Sequence, residues 1–150
     1  MDYKNWPIKT EIILQWGDMD AFSHVNNINY IKWCETSRIE LFREMWGKSS
    51  MVQKDIIEGD GVGPILANFN INYRITLVYP DTAIIYTTVN KIGNSSYGVE
   101  HVLCSKKNGD NIVADATSVI VMFDYVKNVN SKLTKEQKEE LLKEVDEIKS

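Results

Sequence analysis

One long helical period followed by four strand-like periods constrains this chain more than any other feature. From Asn27 to about Trp46, Ile31, Cys34, Arg38, Leu41, Phe42 and Met45 recur at helical spacing, with Ile28 one turn earlier. Trp33 and Ile39 widen the apolar stripe, which predicts a helix covered on more than one side. Asn26 is placed to cap its start and Gly47 to end it. Ile65 to Arg74 then alternates Ile65, Ala67, Phe69, Ile71 and Tyr73 against Asn68, Asn70, Asn72 and Arg74. Thr82 to Lys91 is rich in β-branched residues and tyrosine. Ser96 to Lys106 sets Tyr97, Val99, His101 and Leu103 on one face, and Ile112 to Phe123 reads as the longest strand.

Turn-forming residues separate these runs: Tyr79-Pro80-Asp81, Gly93-Asn94-Ser95, and Lys107-Asn108-Gly109-Asp110 with its Asn-Gly pair. Before the helix, Pro7 marks the entry to a further strand, Thr10 to Trp16, with Ile12, Leu14 and Trp16 sharing a face. Successive hairpin connections imply an antiparallel sheet, and the long helix must bury its stripe on it. The expected fold class is α+β. Between helix and second strand, Met51 to Glu58 fits a short helix. The glycine-rich run Gly59 to Pro64 lacks the lysine and the strand–loop–helix context of a phosphate-binding loop. A surface helix closes the chain at about 134–149. Thr134 and Gln137 form its capping box, and Leu141, Val145 and Ile148 its narrow stripe.

A chain of 150 residues fits one domain spanning 1–150. Net charge is -4, and no dense Lys/Arg cluster supplies the basic stripe that nucleic-acid binders carry. No nucleic acid partner is expected. Cys34 and Cys104 form no CxxC pair and have no histidine cluster beside them, so they read as small buried hydrophobes rather than zinc ligands. No run approaches the roughly 20 apolar residues of a membrane span, and residues 1–7 hold no apolar signal region. The expectation is a soluble, cytoplasmic protein with no membrane partner.

The chemistry concentrates between the first strand and the long helix. Residues 16–27 hold Asp18, Asp20, His24, Asn26 and Asn27 in one turn. A carboxylate such as Asp20 can serve as general base or attack an acyl carbon. The unpaired N–H groups of a helix start, around Asn26 and Asn27, can stabilise an oxyanion. The same residues can equally do no more than shape a turn and cap a helix. His24 is a candidate general acid or positioning group, or a support for the loop. Tyr30, on the first helical turn, suits an acyl pocket or the core. Asp18, two residues from Asp20 along extended chain, is expected to point away from it. His101, in mid-strand, reads as a satisfied core or interface residue. Lys91, Lys106, Lys107 and Arg74 sit at strand ends where a phosphate could be met.

The run Trp16-Gly17-Asp18-Met19-Asp20, then His24-Val25-Asn26-Asn27, then Tyr30, Glu35 and Arg38, resembles the signature of the hotdog-fold acyl-CoA thioesterases. The nearest group is the 4-hydroxybenzoyl-CoA thioesterase family. The resemblance covers roughly residues 8–125 and implies a curved antiparallel sheet wrapped around one long helix. It implies that Asp20 is the catalytic carboxylate and that backbone N–H groups at Asn26–Asn27 polarise the thioester carbonyl, with Asp18 and His24 in support; His24 and Tyr30 stand as candidates for positioning substrate. It implies an acyl-CoA substrate and a homodimer or homotetramer with sites between subunits. It implies no metal and no cofactor beyond the CoA of the substrate. The family usually has glycine where this chain has Ser23. Two other readings stay open: a non-catalytic module that binds acyl-CoA or acyl-carrier protein, and a hotdog hydratase or dehydratase using an Asp/His pair.

Overall fold

The computed structural model describes residues 2–46 and 61–149. A 3-10 turn at Tyr3–Asn5 precedes strand β1, Ile8–Ile13. The long helix α1 spans Asn27–Trp46. Strands β2 (Val62–Tyr73), β3 (Thr82–Ile92), β4 (Ser96–Ser105) and β5 (Ala114–Asp124) follow, then the short β6 (Val129–Asn130) and helix α2 (Lys135–Lys149). The short helix expected at Met51–Glu58 lies outside the described residues.

All pairings are antiparallel, and the sheet runs β1-β3-β4-β5-β2, with β6 on β5. Only β3–β4 and β4–β5 behave as the hairpins expected from the sequence. β2 lies at the far edge beside β5, so the chain from 74 to 81 crosses to the opposite side of the sheet before β3 begins. The crossover is held by Arg74 and Ile75 N–H groups on the Val113 carbonyl at 2.8 and 3.1 Å. Local turn signals mark a reversal but not which strand the chain returns beside.

Several expected boundaries shift for local reasons. β1 ends at Ile13, and Trp16 opens a 3-10 turn that leaves it 73 % exposed instead of on the buried face with Leu14. β2 starts inside the glycine-rich run, where Gly63 and Pro64 pair with Phe123 and Met122. At 12 residues it, not β5, is the longest strand. A bulge between Leu66 and Asn68 breaks its alternation. Ile65 and Leu66 are exposed, whereas Phe69 and Ile71 pack on the core. The Asn-Gly pair lies in an eight-residue connection between β4 and β5, with Gly109 at φ 60, not in a two-residue hairpin.

α1 buries Tyr30, Trp33, Cys34, Ser37, Arg38, Leu41, Phe42 and Met45, positions three and four apart that form one wide face. Ile28 and Ile31, expected in that stripe, are exposed instead. The core has two inner parts. One, under the helix start, joins Leu14, Tyr30, Trp33, Leu77, Ile85 and Leu103. The other, under its end, joins Leu41, Phe42, Val89, Tyr97, Ile120 and Leu141. A third cluster covers the outer face of β3 and β4, where Trp6 packs with Tyr86, Val102 and Cys104. α2 starts with the expected capping box: Gln137 N–H donates to Thr134 Oγ1 at 3.1 Å, and Thr134 N–H to Gln137 Oε1 at 2.8 Å. Among the described residues, no helix is long and apolar enough to cross a membrane.

Candidate functional site

The link from β1 to α1 is a knot closed by its own backbone. Gln15 N–H donates to Asp18 Oδ2 at 2.8 Å and closes the 3-10 turn Trp16–Asp18, so the Asp18 carboxylate serves its own turn. The chain then extends, and Met19 bridges Val25. Between them the loop reverses: Asp20 N–H donates to the His24 carbonyl at 2.9 Å, and Ser23 N–H to the Asp20 carbonyl at 3.0 Å. Phe22 N–H donates to Asp20 Oδ1 at 2.9 Å. One oxygen of the Asp20 carboxylate is thereby oriented, and the residue faces solvent.

Ser23 stands where the family usually has glycine, and it adopts φ 63. The reversal after Asp20 demands this left-handed conformation, which glycine adopts freely and serine at a cost of about 1–2 kcal/mol.

The same knot positions the helix start. The Asp18 carbonyl accepts from Asn26 N–H and from Asn29 Nδ2, both at 2.9 Å. Asn26 caps α1: its Oδ1 accepts from Ile28 N–H at 3.1 Å and its carbonyl from Asn29 N–H at 2.9 Å. The first N–H groups of a helix have no partner within it. With those of Ile28 and Asn29 taken by Asn26, the Asn27 N–H meets no acceptor among the described residues.

The crossover 74–81 supports this arrangement from below. Leu77 accepts from Val25 N–H at 2.8 Å and donates its own N–H to the Tyr30 hydroxyl at 3.2 Å. Tyr73 donates its hydroxyl to the Asn27 carbonyl at 3.2 Å, and its ring meets Tyr30 edge-on at 5.2 Å. Tyr30 is 2 % exposed, and burial raises its pKa, so the hydroxyl stays protonated. Asp20, Asn26 and Asn27 therefore share one exposed loop and helix start. The exposed His24 joins them through its backbone carbonyl, with no side-chain hydrogen bond among the described residues. Tyr30 lies beneath them.

The segments that form this site also carry exposed apolar side chains that the strand and helix patterns do not assign. Phe22 is 83 % exposed beside Asp20, and Trp16, Ile28, Val78 and Tyr79 are also exposed large side chains. The run Ile75 to Tyr79 belongs to no strand, so periodicity assigns it no face. The candidate phosphate contacts do not converge. Arg74 is ion-paired with Asp115. Lys106 and Lys107 lie at the β4–β5 connection. Lys91 lines a separate groove of about 390 Å³ with Asn90, Gly98, Thr117 and Val119. A Cβ at Gly98 would fall 2.2 Å from Asn90 Oδ1, so a larger residue there would have to displace the exposed Asn90 side chain. Among the described residues, no three His, Cys, Asp or Glu side chains come together as a metal site would need.

A curled antiparallel sheet holding one long helix is the hotdog fold, and solved thioesterases share it. The family model of the thioesterase-like superfamily matches residues 14–147, and the chain belongs to that superfamily. The long-chain acyl-CoA thioesterase FadM of Escherichia coli is 25 % identical over 117 residues, 78 % of this chain and 83 % of that protein. A predicted thioesterase from Bacillus stearothermophilus superposes with a TM-score of 0.79 at 19 % identity, covering 91 % of this chain and 95 % of that one. A thioesterase of Thermus thermophilus, solved with coenzyme A and zinc, gives 0.77 at 21 % identity, covering 96 % of each chain.

Proposed function

We propose that this chain hydrolyses an acyl-CoA thioester to a carboxylic acid and free CoA. The observation that carries the reading is the placement of the exposed Asp20 carboxylate in the same short loop that ends at the open Asn27 N–H. The substrate class comes from relatives named acyl-CoA thioesterases. The runs Gly17-Asp18-Met19-Asp20 and His24-Val25-Asn26-Asn27 favour the 4-hydroxybenzoyl-CoA thioesterase group within the superfamily.

In this mechanism the thioester carbonyl oxygen accepts the Asn27 N–H, and the positive end of α1 favours the charge that develops on it. Asp20 either takes a proton from the attacking water or attacks the carbonyl carbon itself. The thiolate of CoA leaves, and water supplies the second oxygen of the acid. Phe22, Trp16 and Ile28 offer the acyl chain an apolar rim.

A second copy of the chain completes the site. β2 is a 12-residue strand at the edge of the sheet among the described residues, with Ile65, Leu66 and Tyr73 exposed along it. An open edge of this length invites pairing with another strand. Light scattering is expected to give the mass of a dimer or of a pair of dimers. A thiol-release assay over aryl, short-chain and long-chain acyl-CoAs tests the activity. Release from at least one class is expected. Tight binding without release, or a change in enoyl absorbance without release, contradicts hydrolysis.

A further inference from the structure

A closed ring of hydrogen bonds crosses the core beneath the middle of α1. It leaves the helix at Ser37, whose hydroxyl lies 2.6 Å from Thr87 Oγ1 on β3. Thr87 Oγ1 is 2.8 Å from His101 Nδ1 on β4, and His101 Nε2 is 3.1 Å from Ser118 Oγ on β5. Arg38 Nη1 donates to Ser118 Oγ at 3.2 Å, which returns the ring to the helix one residue after it left. Thr10 Oγ1 donates to Ser37 Oγ at 3.2 Å and adds β1. Ser37, Thr87 and His101 are fully buried, Ser118 is 1 % exposed and Arg38 5 %. The guanidinium has no carboxylate partner among the described residues, and it lies 5.8 Å from the centre of the Phe69 ring.

One tautomer of His101 gives the ring a single direction. A guanidinium only donates, whereas a hydroxyl can accept and donate at once. Ser118 Oγ therefore accepts from Arg38 and is free to turn its hydrogen towards His101 Nε2. Burial, with Arg38 adding to it, pushes the imidazole pKa down to about 3, so the ring is neutral. With Nε2 accepting, Nδ1–H donates to Thr87, and the Thr87 hydroxyl donates to Ser37. In that tautomer every donor points one way, from Arg38 through Ser118, His101 and Thr87 to Ser37.

The ring also divides the core. The cluster under the helix start and the cluster under its end are apolar, and apolar contact has no direction. Ser37 and Arg38 stand about 100° apart around the helix. They reach β3 and β5, the two strands that flank β4. Neither rotation nor sliding of α1 preserves both bonds. We propose that Arg38 and His101 are positioning residues: the ring fixes the rotation and register of α1, and so holds its first turn in the geometry the Asp20 site uses. The proposal rests on the thioesterase reading, and nothing in the ring touches that site.

The test uses the full chain with Arg38→Met, which keeps bulk and removes the donors, and Ser118→Ala, which removes one hydroxyl. Nitrogen NMR of His101 is expected to show the Nδ1–H tautomer in the wild type and loss of that preference in Arg38→Met. Amide exchange in the first turn of α1 is expected to quicken in both variants. The kcat for thiol release is expected to fall by about tenfold to a hundredfold in Arg38→Met, and by less in Ser118→Ala, with KM nearly unchanged. An Nε2–H tautomer in the wild type overturns the proposal, as do wild-type kcat and exchange in folded variants. If Arg38→Met does not fold, Ser118→Ala alone decides. If even the wild type releases no thiol, the thioesterase reading fails by itself, while tautomer and exchange still judge the ring.

Discussion

Two polar groups sit on one helix and differ in almost every respect. At the start of α1, Asp20, His24, Asn26 and Asn27 are exposed, consecutive or nearly so, and tied down mainly through backbone bonds. Under its middle, Thr10, Ser37, Arg38, Thr87, His101 and Ser118 are drawn from five elements and joined side chain to side chain. In the first group a carboxylate oxygen and a helix N–H remain open to a ligand. In the second, both imidazole nitrogens and every hydroxyl of the ring have a partner. The difference separates the proposed reaction site from the proposed lock. Changes at the start should alter turnover more than stability. Changes in the ring should cost stability first.

After Asp20 itself, the largest effect is expected for Asn27→Pro. Proline is well accepted at the first helical position but carries no N–H. Removing one oxyanion donor should lower kcat by about 10²–10³-fold, with helix content by circular dichroism unchanged. Unchanged turnover would move the oxyanion donor elsewhere.

The next effect lies in the ring. His101→Leu should lower unfolding free energy in a urea titration by about 2–3 kcal/mol, because Thr87 and Ser118 each lose a buried partner. The pH dependence has a definite sign. The His101 pKa falls from 6.5 in the free side chain to about 3 in the fold. Between those values the unfolded chain binds a proton that the folded chain refuses. Stability from this residue is complete above 6.5 and is lost as pH falls towards 3, at up to ~1.4 kcal/mol per unit. Urea titrations at several pH values should show a shallower loss for His101→Gln. Equal slopes for the two proteins would contradict a neutral, buried His101.

Tyr30→Phe joins the two regions at a smaller scale. It leaves the Leu77 N–H without its acceptor and should cost about 1–2 kcal/mol in the same titration. The smallest effect is expected at Ser23→Gly. Relief of the left-handed serine favours the fold by about 1–2 kcal/mol, and the freer unfolded glycine offsets about 0.4–1. A net gain near 0.5 kcal/mol should appear as a small rise in Tm, whereas a loss would mean that the serine side chain holds the loop.

The contrast also explains how much could be read in advance. The helix, its start, the capping box of α2 and the polar knot were legible because each is written in neighbouring residues. The inward face of β4 was legible because alternation over Tyr97, Val99, His101 and Leu103 is local too. The crossing of 74–81 was not, because a turn signal says nothing about which strand the chain joins. The strand pattern runs on in the sequence to Trp16, whereas the backbone has already turned there. The ring was invisible for the same reason as the crossover: its members lie between 10 and 118, and only the folded sheet brings them together.

Substitution of Asp20 is the most direct test of the proposed hydrolysis. Thiol release by Asp20→Asn should be measured beside the wild type on the acyl-CoA that the wild type hydrolyses best. The variant retains the acceptor for the Phe22 N–H, so its thermal unfolding should match the wild type. The expected result is a loss of about 10²–10⁴-fold in kcat at an unchanged Tm. Wild-type turnover by the folded variant would contradict the assignment of Asp20 as the reacting carboxylate.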